Sequence, residues 1–211
     1  MPELSHRSSA NHQSQITQDD LEQMKSSDVN ALLYSQPSVM IAQNKASGFS
    51  RVSLRGASGG QGLVTLDGVP LFANFSGLYS MRHFPREMLG NVQVQRGFDQ
   101  NSSNSRTLGG AVHLQTRRVD DDKTHVFIEG GSQATVNTGI ATGLGDEEEN
   151  VSLVFGYTHI AEGDTQSAYP SSNVDADNYK MGRVLLRGDK AFKQGSLQAS
   201  LYYVNAQEET D

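Results

Sequence analysis

The chain has 211 residues, 36% of them hydrophobic and 19% charged, and Lys+Arg 17 against Asp+Glu 24 leaves a net charge of −7. An acidic balance offers no basic face for nucleic acid, and a chain without cysteine can build neither a disulfide scaffold nor a thiolate site. No run of 18 apolar residues exists to make a membrane helix. The mean hydropathy of −0.51 is still compatible with a lipid-facing β-surface, in which only every second residue is apolar.

Residues 1–15 are rich in Ser, His, Gln and Asn, lack periodicity and read as a flexible N-terminal arm. A short helix is expected from Thr17, with Asp20 completing a variant capping box and Leu21 and Met24 as its apolar stripe. A second helix after Ser27 places Val29, Leu32 and Leu33 on one face, and Pro37 stops it. Short strands divided by glycine come next: Val39-Met40-Ile41, Val52-Ser53-Leu54 and Leu63-Val64-Thr65-Leu66. Asp67-Gly68 signals a tight turn into Val69-Pro70-Leu71. Pro85 suits the first turn of a brief helix reaching Leu89, and Val92–Gln95 and Ala111–Gln115 are further strands. To about residue 118 this describes a compact α+β domain.

Beyond Asp120-Asp121-Asp122 the texture changes. Five strands are expected across 124–208, of about ten residues each. Val151, Leu153, Phe155 and Tyr157 alternate with Ser152, Val154, Gly156 and Thr158, and Leu197, Ala199, Leu201 and Tyr203 alternate with Gln198, Ser200 and Tyr202. Such alternation fits a transmembrane β-barrel wall and equally a one-sided soluble sheet. The connections run short, short, long, short, and placing the long one (162–178) outside puts Gly145–Asn150 and Phe192–Gly195 together on the opposite side. That parity is the one a barrel requires.

Enzymatic patterns do not persuade. Gly56-Ala57-Ser58-Gly59-Gly60 has nucleophile-elbow spacing, but a strand follows where that chemistry needs a helix. The six histidines are scattered, and Asp164, Asp175 and Asp177 lack the glycine and glutamate of a calcium loop. We expect no enzyme, no cofactor and no metal site.

Four motifs stand in order: Val52-Ser53-Leu54-Arg55-Gly56, Leu63-Val64-Thr65-Leu66-Asp67-Gly68-Val69-Pro70-Leu71, Val92-Gln93-Val94-Gln95-Arg96-Gly97, and Leu108-Gly109-Gly110-Ala111-Val112-His113-Leu114-Gln115-Thr116. Together they resemble the plug domain of TonB-dependent outer-membrane receptors, with its successive I-R-G, L-I-D-G-V-P, I-E-V-x-R-G and G-G-V-I-N-I-I-T signatures. The departures are Phe98 for the usual proline, Gln93 for the usual glutamate, and Ser102-Ser103-Asn104-Ser105 where L-Y-G-S is common. No TonB box is identifiable in residues 1–15, and its place is expected upstream of Met1.

The resemblance implies an α+β plug domain over 16–118, followed over 119–211 by the first antiparallel β-strands of an incomplete transmembrane β-barrel. A lumen that holds a plug needs on the order of 20 strands, so the chain is expected to be a piece of a longer product. The implied function is uptake of a scarce ligand (siderophore, cobalamin or similar) across the outer membrane of a Gram-negative bacterium. The implied partners are a periplasmic TonB-type energy-coupling protein, a small-molecule ligand such as a metal chelate, and outer-membrane lipid. A soluble periplasmic or secreted plug-like binding module is the alternative. Structural motif positions are Arg55, Gly56, Asp67, Gly68, Arg96, Gly97, Gly109 and Gly110, with Arg55 and Arg96 implied to latch the plug to carboxylates of the wall. Ligand contact is expected at two plug apices, through Asn44 and Phe49 and through Asn74, Phe75, Tyr79 and Arg82.

Overall fold

A computed structural model describes residues 13–24, 29–43, 50–57, 62–71, 79, 81–97, 109–120, 123–131, 134–161 and 178–209. The chain divides into two compact units, Met1–Arg117 and Arg118–Asp211.

In the first unit, strand β1 (Gln13–Ile16) precedes helix α1 (Gln18–Gln23). Thr17 caps α1 as expected: its hydroxyl accepts from the Asp20 amide at 3.4 Å, and the Asp20 carboxylate accepts from the Thr17 amide at 2.9 Å. Helix α2 (Val29–Tyr34) buries Val29, Leu32 and Leu33, and Pro37 follows it. Strands β2 (Val39–Gln43) and β3 (Ser50–Leu54) form an antiparallel pair. β4 (Gly62–Leu66) turns at Asp67-Gly68 into β5 (Val69–Pro70). β6 (Leu89–Arg96) and β7 (Gly110–Thr116) complete a sheet of order β1-β6-β7-β4-β5. β4 and β7 run parallel and the other neighbours antiparallel. Its core is apolar: Val64, Val92, Val94, Val112 and Leu114 of the sheet lie against Leu21, Val29, Leu32 and Leu33 of the helices.

Two local readings change. Gln13, Ser14 and Gln15, taken with the arm for want of periodicity, form with Ile16 an edge strand in register with β6, Gln13 opposite Gln95 and Ile16 opposite Val92. Its order comes from a partner about 80 residues away, which no local pattern announces. The helix expected after Pro85 is only a 3₁₀ turn, Arg86–Met88, because Leu89 already begins β6.

The second unit is one antiparallel sheet, β8 (Thr124–Gly130), β9 (Val136–Gly145), β10 (Glu149–Ala161), β11 (Asn178–Phe192) and β12 (Gly195–Glu209), each paired with its neighbours in sequence. The last three have 13, 15 and 15 residues, longer than the alternation indicated. Backbone pairing continues into polar ends such as Asn178 opposite Glu209, where hydrophobicity no longer marks the strand. The β9–β10 turn is built on Asp146, whose carboxylate accepts from the amides of Glu148 and Glu149 at 2.8 and 2.9 Å. Those bonds hold the Asp146 carboxyl below the usual aspartate range, since they favour its charged form.

Candidate functional site

The ordered motifs of the first unit are junctions between distant strands. At the D-G motif, Asp67 has φ 49° and Gly68 has φ 81°, the left-handed pair that a tight hairpin turn demands. The Asp67 amide donates to the Leu114 carbonyl at 2.9 Å, and its carboxylate accepts from the Thr116 amide at 2.9 Å and the Thr116 hydroxyl at 2.8 Å. The turn residue is therefore also the bolt between β4 and the end of β7. At the G-G motif, the Gly97 amide donates to the Gly109 carbonyl at 3.2 Å. Gly110, at φ 134°, passes so close to β6 that a Cβ would sit 2.2 Å from the Gln95 carbonyl oxygen. Only glycine fits there.

The two R-G arginines have unlike surroundings. Arg55 is exposed in the turn after β3, at φ 51°, with its amide on the Ser38 carbonyl at 3.0 Å. Arg96 donates from Nε to the Pro37 carbonyl and from Nη2 to the Ser14 hydroxyl, both at 2.7 Å. One guanidinium thus ties β1 and the segment after α2 to the end of β6. Burial lowers the Arg96 pKa, with Arg55 adding to the effect, yet an arginine so placed keeps its charge. Both of these bonds lie inside the first unit.

A second arginine clamp was not foreseen. Arg117, just past β7, has a side chain only 5% exposed and meets Glu22 of α1 at 2.6 Å. Arg86 adjoins the pair, and burial is the main cause that lowers the pKa of both arginines, with Glu22 opposing it. Glu22 and Arg117 stand 95 residues apart, so no spacing could reveal them.

Of the residues expected to touch a ligand, Asn44, Phe49, Asn74 and Phe75 lie outside the described residues, as does Ser58. Arg82 falls in the 3₁₀ turn Met81–His83. Tyr79 is turned inward, 8% exposed, with its hydroxyl on the Gly62 carbonyl at 3.2 Å.

In the second unit the two faces of the sheet are inverted relative to a soluble protein. Ile128, Leu144, Leu153, Phe155, Leu201 and Tyr203 are all exposed, at 42–78%. Across the strands from them, Asn137, Asn150, Ser152, Thr158 and Arg183 are buried. A one-sided soluble sheet would bury the first set and expose the second. The buried face is a mixed surface that also includes Ala141, Val154, Met181 and Leu185. At its centre Arg183 donates to the Thr158 hydroxyl and, at 2.6 Å, to the Asn137 amide oxygen, while Asn137 in turn donates to Glu129 at 2.9 Å. Gly139 and Gly156, paired across β9 and β10, make room for this layer. A Cβ on Gly139 would meet the Phe127 ring at 2.3 Å, and one on Gly156 would meet Arg183 Nε at 2.9 Å. Among the described residues no group of His, Asp and Glu is arranged to hold a metal.

The family model for the TonB-dependent Receptor Plug Domain matches residues 5–111. Among solved structures, the siderophore receptor PirA from Acinetobacter baumannii is similar at 18% identity and a TM-score of 0.69, over 93% of this chain and 32% of that one. The pyoverdine outer membrane receptor FpvA from Pseudomonas aeruginosa, bound to pyoverdine, is similar at 14% identity and a TM-score of 0.69, over 99% of this chain and 29% of that one. The copper transporter OprC is similar at 11% identity and a TM-score of 0.74, over 96% of this chain and 32% of that one. The chain thus spans about a third of the length of these structures. Four ordered motifs in one α+β unit, three of them on its five-stranded sheet, and a second sheet with its apolar face exposed agree with that match: the chain belongs to the TonB-dependent receptor family, receptors and transporters rather than enzymes, and comprises a plug domain and antiparallel strands of an unclosed barrel wall.

Proposed function

We propose that this chain supplies the plug and part of the wall of a receptor that takes up a scarce ligand through a Gram-negative outer membrane, driven by a TonB-type energy-coupling protein. The observation that carries the reading is the outward apolar face of β8–β12, which suits a hydrocarbon surround and no aqueous one. In this reading residues 16–118 form the plug and 119–211 belong to the wall. The ligand is a small metal chelate or a compound of similar size, a siderophore or cobalamin being the model. Asn44, Phe49, Asn74, Phe75 and Arg82 contribute to its contact surface.

The pull of a coupling protein on the N-terminal arm would reach β1 first. Three features favour an orderly release: β1 is short, it lies at a sheet edge, and its side-chain tie to Arg96, through the Ser14 hydroxyl, is polar. Polar ties of this kind can be broken and remade in water at modest cost, which a greasy interface cannot.

The test is cell fractionation of the complete natural gene product, followed by accumulation of ⁵⁵Fe complexes with and without an uncoupler of the proton-motive force. Recovery in the outer membrane with uncoupler-sensitive accumulation is the expected outcome. A wholly soluble periplasmic product would overturn the transport reading.

A further inference from the structure

The two units meet in sequence between two arginines. Arg117 closes the first, with its guanidinium on Glu22, and Arg118 opens the second. From Arg118 to Asp120 the chain has no regular secondary structure, yet Val119 is fully buried. Side chains serve its backbone in place of a partner strand. The Val119 amide donates to the Ser152 hydroxyl at 2.9 Å, that hydroxyl donates to the Asn150 amide oxygen at 2.8 Å, and the Asn150 amide nitrogen donates to the Val119 carbonyl at 3.1 Å. These bonds close a ring, and Asn150 and Ser152 are themselves buried. Gly143 makes the room, because a Cβ there would collide with the Val119 carbonyl oxygen and sit 2.8 Å from that of Asp120. Arg118 donates to the carbonyls of Asp146 and Glu147 in the β9–β10 turn at 3.0 and 3.3 Å. A link that only had to connect two units could leave its amides in water. Here two polar side chains of β10 are desolvated to hold it, and the closed ring is what offsets that cost.

We propose that Asn150, Ser152 and Gly143 form a seat that stops tension, so that a pull entering through the N-terminal arm ends at Val119 and does not reach β8. The inference rests on the receptor reading above, and it adds the fixed point against which a coupling protein pulls. The reasoning is mechanical. A chain under tension loads its attachments in series, and the first one that holds shields those behind it. β8 is the first strand of its unit, and a strand pulled at its end loses its ladder one pair at a time, beginning with Thr124 opposite Thr142. The ring bonds converge on a single residue and are loaded together, and breaking them strands a buried N–H and a buried C=O.

The experiment is single-molecule pulling on the complete natural gene product in a supported bilayer, with the handle Ser8→Cys in the N-terminal arm. From residue 8 to the seat runs a chain of about 110 residues, which stretches to about 360–400 Å. The parent is expected to show a force peak at that length. In Asn150→Ala/Ser152→Ala the peak should fall by about half or more, and the next should lie about 20 Å further out, where Thr124 takes the load. Arg118→Ala loses only the turn contacts and should lower the peak by less. Its side chain is partly exposed, so it keeps the test decisive if the double variant fails to insert. Thr142→Ala, which removes a hydroxyl bonded to Thr124 on the exposed face, should leave the peak at the parent's value. Amide exchange in the same bilayers should quicken about tenfold at Val119 in the double variant, with Leu153 and Val184 unchanged. A parent trace without a peak at that length overturns the proposal, and so do variants whose traces match the parent's. A rise in exchange spread over β10 and β11 also overturns it, since the two side chains would then hold the sheet and not the link. The traces need neither ligand nor coupling protein. If uptake of ⁵⁵Fe complexes proves insensitive to the uncoupler while the peak stands, the seat is supported and the receptor reading alone fails.

Discussion

An arginine scan along the outer face of β10 separates a membrane wall from a soluble sheet by magnitude alone. A strand of 13 residues, tilted by about 45°, spans about 30 Å along the membrane normal. Phe155 is its middle residue and is half exposed. In lipid, Phe155→Arg puts a guanidinium near the bilayer midplane at a cost of about 2–4 kcal/mol, or roughly 30- to 1000-fold in the folding equilibrium. Val151 lies four residues nearer the Asp146 turn, about 9 Å closer to the interface by the same geometry, so Val151→Arg should cost only about 0–1 kcal/mol. Leu153→Arg falls between, and Tyr157→Arg mirrors it on the other side. In water, substitution at exposed positions would change stability by about 0.5 kcal/mol or less at every site. The assay is reversible urea unfolding of the complete natural gene product in phospholipid vesicles, followed by heat-modifiable migration on gels. A profile peaked at residue 155 is expected. A flat profile, or one in which Phe155→Arg is the best tolerated, would refute the reasoning from exposure to lipid.

Other expectations follow from single contacts. Gly110→Ala forces a Cβ against the Gln95 carbonyl at a φ that other residues avoid, and should destabilise the plug by about 3 kcal/mol or more in denaturant unfolding. Asp67→Ala removes the acceptor for both Thr116 donors and should cost about 1–3 kcal/mol, whereas Asp67→Asn, which keeps one amide oxygen and tolerates positive φ, should cost distinctly less. The Asp146 carboxyl has a depressed pKa in the folded turn, so its stabilising effect is present above the ordinary value of 3.8 and is lost as pH falls through the lower folded value. Amide exchange at Glu148 and Glu149, followed from pH 6 to pH 2.5 after correction for the intrinsic pH dependence, should accelerate only at the acid end, and Asp146→Ala should show the fast rate throughout.

Much of the fold was legible because its determinants are local. Thr17 and Asp20 announce α1, Asp67-Gly68 announces the β4–β5 turn, and the alternation from Val151 to Tyr157 announces β10. Other features depend on partners far along the chain. Gln13–Ile16 becomes a strand because β6 lies beside it, and Glu22 is committed to Arg117 only through the fold. Periodicity also divides a strand into two faces without saying which one is dry: Leu153 and Ser152 alternate identically in a soluble sheet and in a barrel wall. Exposure decided that point. The candidate site was read less well, because the sequence marks Tyr79 as an aromatic in a polar stretch and cannot show that it faces inward, onto the Gly62 carbonyl.

The parallel pairing of β4 with β7 bears on how the plug is made. Gly62 lies beside Gly110 and Leu66 beside Leu114, so strands whose residues are 48 positions apart must meet before the middle of the sheet exists. Local hairpins can form early, but loop closure over that span is slow, and parallel pairing offers no intermediate turn to guide it. During synthesis the apolar strand residues Val64, Val92 and Val94 therefore wait, exposed, until Gly110–Thr116 has been made. A chain released before Gly110 lacks the parallel partner of β4 and the Thr116 donors for Asp67, and it is an aggregation hazard rather than a smaller plug. The last motif to be synthesised is the one that makes the others cohere.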